Sequence, residues 1–600
     1  MDAGTPEKTP LDTVEKPLGV ADNAPRFGSD VIAQTLHDLD IPFIALNPGA
    51  SFRGLHDSLV NYLGNADPKI LLCLHEEHAV AIAHGYAKVT GKAMAAAVHS
   101  NVGLMHATMA IFNAWCDRMP VVVLGATGPV DADKRRPWID WIHTAADQGA
   151  LVRNYVKWDD QPASPAAARE ALLRGAWLAE SAPKGPVYIN FDSEMQEAEL
   201  TGEISRPDTS RYVQPPRSGV DRATIDEIAG LVQGAKAPVV LAGRVSRDER
   251  AWHARIALAE AMGAKVITDL KVATAFPTTH PAYAGDLRGK GGAATLEALK
   301  AADVIIALDW VDLHGALTAA FGREGPKGKV IRVGLDRHIH NGWSMDHQAH
   351  PLADLVLDCD PDVFTIALAD RLGASEIIAD GDCPPAPAIP RQKGALSVEQ
   401  IALALRHVLK GEKSCLTHVT LSWDGGYWPF AHPLDYLGSD GGGGIGAGPG
   451  HAVGAALGLR QIGSERIAVA VCGDGDFLMG VTALWTAVHY GIPLLVVVAN
   501  NRSFFNDEVH QEKVARMRGR EVANKWIGMR MSDPEIAIAD MAAAQGCAGF
   551  GPVTALDDLS NTLVAAVAEV KAGRVAVVEV ITDASYPDAL IAALTPEKKG

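Results

Sequence analysis

The sequence predicts an α/β protein built from three doubly wound parallel-sheet domains. Short apolar runs alternate with helical stretches along most of the chain, as at 93–98 and 304–308, which is the pattern of parallel strands covered on both faces. Two polar stretches divide that pattern into three: 200–218, with Pro207, Pro215 and Pro216, and 378–394, with Pro384, Pro385, Pro387 and Pro390. A chain of 600 residues is long enough for three or four domains of ~150 residues each.

Residues 1–26 read as a flexible tail, polar and without the apolar centre of a secretory signal. The first domain is expected at 27–200. Its opening helix is at 30–39. A strand at 43–46 enters from Pro42, where a missing N–H costs least, and leads into Asn47-Pro48-Gly49-Ala50-Ser51. A strand at 70–74 leads into His75-Glu76-Glu77-His78 and a helix at 79–89 that stops at Gly91. A strand at 93–98 ends in His99-Ser100, another lies at 120–124, and 185–191 closes the domain. The second domain, 219–377, carries strands at 239–241, 266–268, 304–308, 330–333 and 355–358. The third, 395–588, ends in a strand at 575–580, and 589–600 form a second tail.

One βαβ unit of the third domain carries the chemistry. Strand 467–472 runs into Gly473-Asp474-Gly475-Asp476. A helical stretch at 478–490, a turn at Gly491-Ile492-Pro493 and a strand at 494–499 follow, ending in Asn500-Asn501. Both motifs stand at the C-terminal ends of parallel strands, the edge where open sheets bind ligands. Asp474 offers a carboxylate oxygen, Asn501 an amide oxygen, and the backbone near Ser503 a carbonyl. With phosphate and water these make an oxygen set for Mg²⁺ held through a diphosphate. Gly473 and Gly475 let the backbone approach that diphosphate, and the next helix N-terminus faces its charge. A tight turn with a loop cap is the plainer alternative.

The formal charge of −18 advertises no basic face for nucleic acid. No apolar run reaches the ~18 residues of a membrane span. Seven cysteines, odd in number and without a Cys-x-x-Cys spacing, suit a cytoplasmic protein with free thiols.

Gly-Asp-Gly followed by Asn-Asn, with 476–499 between them, resembles the thiamine diphosphate motif. With Asn47-Pro48-Gly49, His75-Glu76 and His99-Ser100 in the same order, residues 27–588 resemble the thiamine diphosphate-dependent decarboxylases and carboligases, the group of acetolactate synthase, pyruvate decarboxylase and benzoylformate decarboxylase. The resemblance implies a pyrimidine-binding domain, a central domain and a diphosphate-binding domain. It implies thiamine diphosphate and Mg²⁺ as cofactors, with metal ligands Asp474, Asn501 and Ser503. Cofactor contacts are implied at Gly49, Gly444, Ile445, Gly473, Gly475, Asp476 and Phe477. Ile445 lies where the family holds the cofactor bent, although simple packing of the glycine-rich run 441–446 also explains it. Homodimers or homotetramers are implied, with sites between subunits and Glu76 of one copy reaching the cofactor of another.

Glu76 would be the acid that hydrogen-bonds the pyrimidine ring, and an apolar setting would keep its proton in place. On position alone it is equally an acid favoured by a helix dipole. Ala97-Val98-His99-Ser100, Asn113-Ala114-Trp115 and Ala483-Leu484-Trp485-Thr486-Ala487 resemble benzoylformate decarboxylase, as does the position of His314 after a central-domain strand. His99 and His314 would then donate and accept protons; a surface residue is the other reading of His314. Two stretches depart from that enzyme: Ala50 stands where it has a serine, with Ser51 one place later, and 502–508 is of another type. The basic run Lys513, Arg516, Arg518, Arg520, Lys525 and Arg530 suits either a solvated helix face or a lid over an anionic substrate or a CoA tail. Trp423, Tyr427, Trp428, Phe504 and Phe505 suit either a pocket or the core. The expected activity is non-oxidative decarboxylation of a 2-oxo acid. The alternatives are acetolactate-synthase-like carboligation and 2-hydroxyacyl-CoA cleavage. No nucleic-acid or membrane partner is expected.

Overall fold

The computed structural model describes residues 10–20, 24–287, 292–339, 349–374 and 383–585. The tail expected at 589–600, and residues 1–9 and 21–23 of the first tail, lie outside the described residues.

Three all-parallel sheets form, each flanked by helices. In the first, β1 (Phe43–Leu46), β2 (Lys69–Leu72), β3 (Met94–Val98), β4 (Val121–Thr127), β5 (Asp159–Asp160) and β6 (Val187–Asp192) take the order β2-β1-β3-β4-β6-β5. In the second, β7 (Pro238–Ala242), β8 (Lys265–Thr268), β9 (Tyr283–Asp286), β10 (Val304–Leu308), β11 (Lys329–Val333) and β12 (Leu355–Leu357) take the order β12-β11-β10-β7-β8-β9. In the third, β13 (Ser414–Val419), β14 (Ile467–Gly473), β15 (Leu494–Asn500), β16 (Ala548–Val553) and β17 (Val575–Ile581) take the order β13-β14-β15-β17-β16. The central strands are buried along their whole length, as their unbroken apolar runs require.

Four strands escape the apolar pattern for identifiable reasons. Strand β5 is two aspartates at a sheet edge, and β9 is Tyr-Ala-Gly-Asp. Strand β13 carries Thr417 and His418 on a buried run, and β16 contains two glycines and a proline. The helix expected at 478–490 is two helices, Asp474–Gly480 and Ala483–Tyr490. The break follows from crowding. A Cβ on Gly480 would lie 2.4 Å from the carbonyl oxygen of Gly446 and within 3 Å of Pro449, so the glycine-rich loop presses on the chain there.

The first and third domains share one core. Helix α1 (Glu76–Thr90) lies against the helix at Gly448–Gln461, and their backbones touch at glycines. A Cβ on Gly85 would lie 2.2 Å from the His451 carbonyl oxygen, and one on Gly454 would lie 1.9 Å from that of Ile82. Among the described residues no helix is long and apolar enough to cross a membrane.

Candidate active site

Two carboxyl edges carry the functional side chains. In the first sheet the strand order reverses between β1 and β3, and an open sheet has its crevice at such a point. The loop after β1 is Asn47–Ser51, and the residue after β3 is His99. They meet: Ser51 Oγ lies 2.7 Å from His99 Nδ1. Gly49 makes room for this, since a Cβ there would lie 2.2 Å from His99 Cγ. Burial, and then the nearby His143, hold the His99 imidazole below its usual pKa. The His143 ring is 4.8 Å from that of His99, and its carbonyl accepts from Ser100 Oγ. His143 is the C-cap of a four-residue helix, Ile139–Ile142, too short to show a periodic pattern in the sequence.

Strand β2 neighbours β1 and delivers Glu76 to the same edge. His75 caps α1 by accepting from the Glu77 N–H at 3.1 Å, so Glu76 opens the helix. The carboxyl is buried, but its setting is not the apolar one expected. Its Oε2 lies 3.2 Å from Nδ1 of His106, on helix α2 (Ser100–Cys116).

In the third sheet β14 and β15 are neighbours, which brings the two motifs together. Asp474 is buried and opens helix α3 (Asp474–Gly480). Burial raises its carboxyl to about 6, against hydrogen bonds from backbone N–H groups. Asp474 Oδ2 and Asn501 Oδ1 both accept from the Ser503 N–H, at 3.2 and 2.9 Å, so the two oxygens converge. Asn500 faces inward instead, donating to Glu579 Oε1 at 2.8 Å. A Cβ on Gly473 would meet only Thr420 Oγ1, at 3.4 Å, which leaves open space over this turn; one on Gly475 would strike the Phe504 ring. Converging hard oxygens beside an open glycine turn fit a divalent cation carrying a diphosphate.

The other expected contacts fall close by. Gly444 and Ile445 lie in a loop pinned to the first domain, where Asn113 Oδ1 accepts from the Gly442 N–H at 3.0 Å. Asp476 turns away from the opening. Its Oδ1 accepts from Gly446 N–H at 2.7 Å, and its Oδ2 is 3.1 Å from His418 Nε2. Burial raises its carboxyl, but His418 and the backbone donors outweigh that and hold it low. Phe477 is fully buried in the shared core. His314 sits in the second domain, with Thr318 of its own helix 3.3 Å away, and none of its described contacts joins it to Glu76, His99 or Asp474. Trp423 and Trp428 belong to the third-domain core. Of the six cations of the basic run, Lys525 and Arg516 pair with Glu512, and Arg530 pairs with buried Glu508.

The second sheet reverses order between β7 and β10, where an open sheet of this order binds a dinucleotide. Among the described residues the chain packs closely on itself between those two strands, while a cavity lined by Asp309, Trp310, Arg332, Asp336 and Arg337 opens beside them at β10 and β11. A Cβ on Gly243 would lie 2.2 Å from the Asp309 carbonyl oxygen. Arg244 pairs with Asp309 and Asp336, each at 3.1 Å, and donates to the carbonyl of Cys116. Arg118 of the first domain completes the network on Asp336.

Three family models match in chain order. The thiamine pyrophosphate enzyme N-terminal TPP binding domain matches residues 26–151, the central domain 225–341, and the C-terminal TPP binding domain 420–580. The chain belongs to the thiamine diphosphate enzymes, and thiamine diphosphate is its cofactor. Within that family it is a carbon–carbon lyase or carboligase. It is 26% identical to the sulfoacetaldehyde acetyltransferase of Alcaligenes xylosoxydans xylosoxydans, over 86% of each chain. It is 23% identical to the acetolactate synthase large subunit of Haemophilus influenzae, over 79% of this chain and 82% of that one. The benzoylformate decarboxylase of Polynucleobacter necessarius shares the fold, with a TM-score of 0.75 at 21% identity over 94% of this chain and 100% of that one.

Proposed function

We propose that this protein is a thiamine diphosphate- and Mg²⁺-dependent non-oxidative decarboxylase of a 2-oxo acid, similar in action to benzoylformate decarboxylase. The observation that carries this is the Ser51–His99 pair at the crevice of the first sheet. A hydroxyl and an imidazole at hydrogen-bond distance suit a substrate carrying a carboxylate beside a carbonyl. Ser51, not Ala50, is the residue that grips the carboxylate. His99, kept neutral by burial, offers Nε2 to hold or hand over the proton that the carbonyl oxygen and the product carbon need. His143 beside it keeps that edge polar. The position of His314 gives it no part in this reading within one chain.

Asp474, Asn501 and the carbonyl near Ser503 are the ligands of Mg²⁺, and Gly473 and Gly475 admit the diphosphate. The bound cofactor supplies the electron sink for cleavage next to the carbonyl. Glu76 holds a proton toward the cofactor ring. Its described side-chain partner, His106, lies on its own first domain, in keeping with the reading that it serves the cofactor held by a second copy in a homodimer or homotetramer. Pairing of Arg516 and Lys525 to Glu512 and of Arg530 to Glu508 weakens the CoA-lyase alternative. The seven free cysteines suit a cytoplasmic protein.

Replacing Glu76 by Gln tests the reading. CO₂ release from a 2-oxo acid is expected to fall to a trace while the variant still binds thiamine diphosphate. Unchanged turnover would overturn it.

A further inference from the structure

We propose that His106 is a positioning residue that decides which oxygen of Glu76 carries the acid proton; this rests on the reading of Glu76 as the acid that serves the cofactor ring. A carboxylic acid has one O–H, on one of its two oxygens. Glu76 Oε2 lies 3.2 Å from His106 Nδ1. When Nδ1 carries hydrogen and donates to Oε2, the acid proton is left to Oε1. When Nδ1 is bare, the proton goes to Oε2 and points at His106 instead. Only the first arrangement leaves a proton for another acceptor.

The surroundings are built to hold that geometry. Oε1 sits over Gly103, where a Cβ would lie 2.9 Å away, so the free oxygen is uncrowded only because that residue is glycine. The His106 ring stacks on His75, with centroids 4.9 Å apart and planes at 16°. His75 is itself fixed, because its Nδ1 accepts from the Glu77 N–H as the cap of α1. The helix cap thus fixes one ring, that ring fixes the second, and the second fixes the acid. The other titratable groups here are Glu77, raised by burial and by Asp476, His78, whose ring is 5.2 Å from that of His75, and His99, which feels the Glu76 charge. The His106 side chain is 60% exposed in the single chain, so burial does not account for an imidazole there.

Two measurements test the assignment. In the cofactor-free protein, nitrogen NMR of ring-labelled histidine is expected to find hydrogen on Nδ1 of His106, and to lose that signature in Glu76→Ala. Hydrogen on Nε2 alone would overturn the proposal. In the protein loaded with thiamine diphosphate and Mg²⁺ but no substrate, deuterium exchange at the cofactor's reactive carbon is followed. His106→Phe keeps a ring but no donor, and exchange is expected to slow roughly tenfold or more, the scale of a hydrogen bond to an ionisable group. His106→Asn, whose amide N–H can replace Nδ1–H, is expected to restore most of the rate. Wild-type exchange in His106→Phe, with exchange lost in Glu76→Gln, would overturn this inference alone. Wild-type exchange in Glu76→Gln would overturn the reading of Glu76 and this inference with it.

Discussion

Replacing Gly49 by alanine inserts one methyl group between the Asn47–Ser51 loop and His99. Gly49 has φ −161°, extended backbone that any residue adopts, so the glycine is needed for space. The new carbon would lie 2.2 Å from His99 Cγ and 2.4 Å from Nδ1, against an ordinary contact of 3.4 Å or more. The ring must therefore retreat by roughly 1 Å, a displacement that costs a catalytic group on the order of 100-fold in rate. The 2.7 Å bond to Ser51 goes with it, a further loss of about 1 kcal/mol in holding the ring. The assay is CO₂ release at saturating cofactor, beside cofactor affinity followed by fluorescence quenching. The expected result is a kcat lower by about two orders of magnitude with cofactor affinity nearly unchanged. A variant that keeps wild-type kcat and loses cofactor affinity would refute this reasoning and make Gly49 a cofactor contact.

Further predictions rest on other parts of the site. Asp474→Ala removes one of two converging oxygens and is expected to weaken metal-dependent cofactor binding on the order of 100-fold, measured by titrating Mg²⁺ at fixed thiamine diphosphate. The lowered pKa of His99 sets a sign: the unfolded chain binds more protons than the folded one between the lowered value and ~6.5, so this residue's contribution to stability is lost as pH falls through that window. The acid limb of the kcat/KM profile is expected below ~6.5, and a limb above that value would contradict the assignment. Arg244→Ala strands Asp309, while Asp336 keeps Arg118, and is expected to cost about 3 kcal/mol by chemical denaturation.

The parallel sheets were legible because buried strands write themselves as unbroken apolar runs; β14 and β15 are of this kind. Strands with another source of stability were not: β5 is Asp159 and Asp160, held by pairing to β6 and by the ion pair of Asp159 with Arg153. The third-domain motif was legible since Asp474 and Asn501 end adjacent strands, and spacing along a βαβ unit fixes their neighbourhood. What sequence order hides is the packing between elements. Ser51 meets His99 because β1 and β3 are neighbours in the sheet, although 48 residues separate the two side chains. His106 reaches Glu76 across two helices, and Asn113 reaches the glycine-rich loop across two domains. Asp476 carries a second role that its place in the motif does not reveal: its carboxylate faces buried His418 and the Gly446 N–H.

The most direct test loads the protein with thiamine diphosphate and Mg²⁺ and offers it 2-oxo acids from pyruvate to benzoylformate, with CO₂, aldehyde and 2-hydroxyketone measured together. The account predicts aldehyde equal to CO₂ for at least one acid, and loss of both in Glu76→Gln. CO₂ accompanied by 2-hydroxyketone in place of aldehyde, or no CO₂ from any acid, would contradict it.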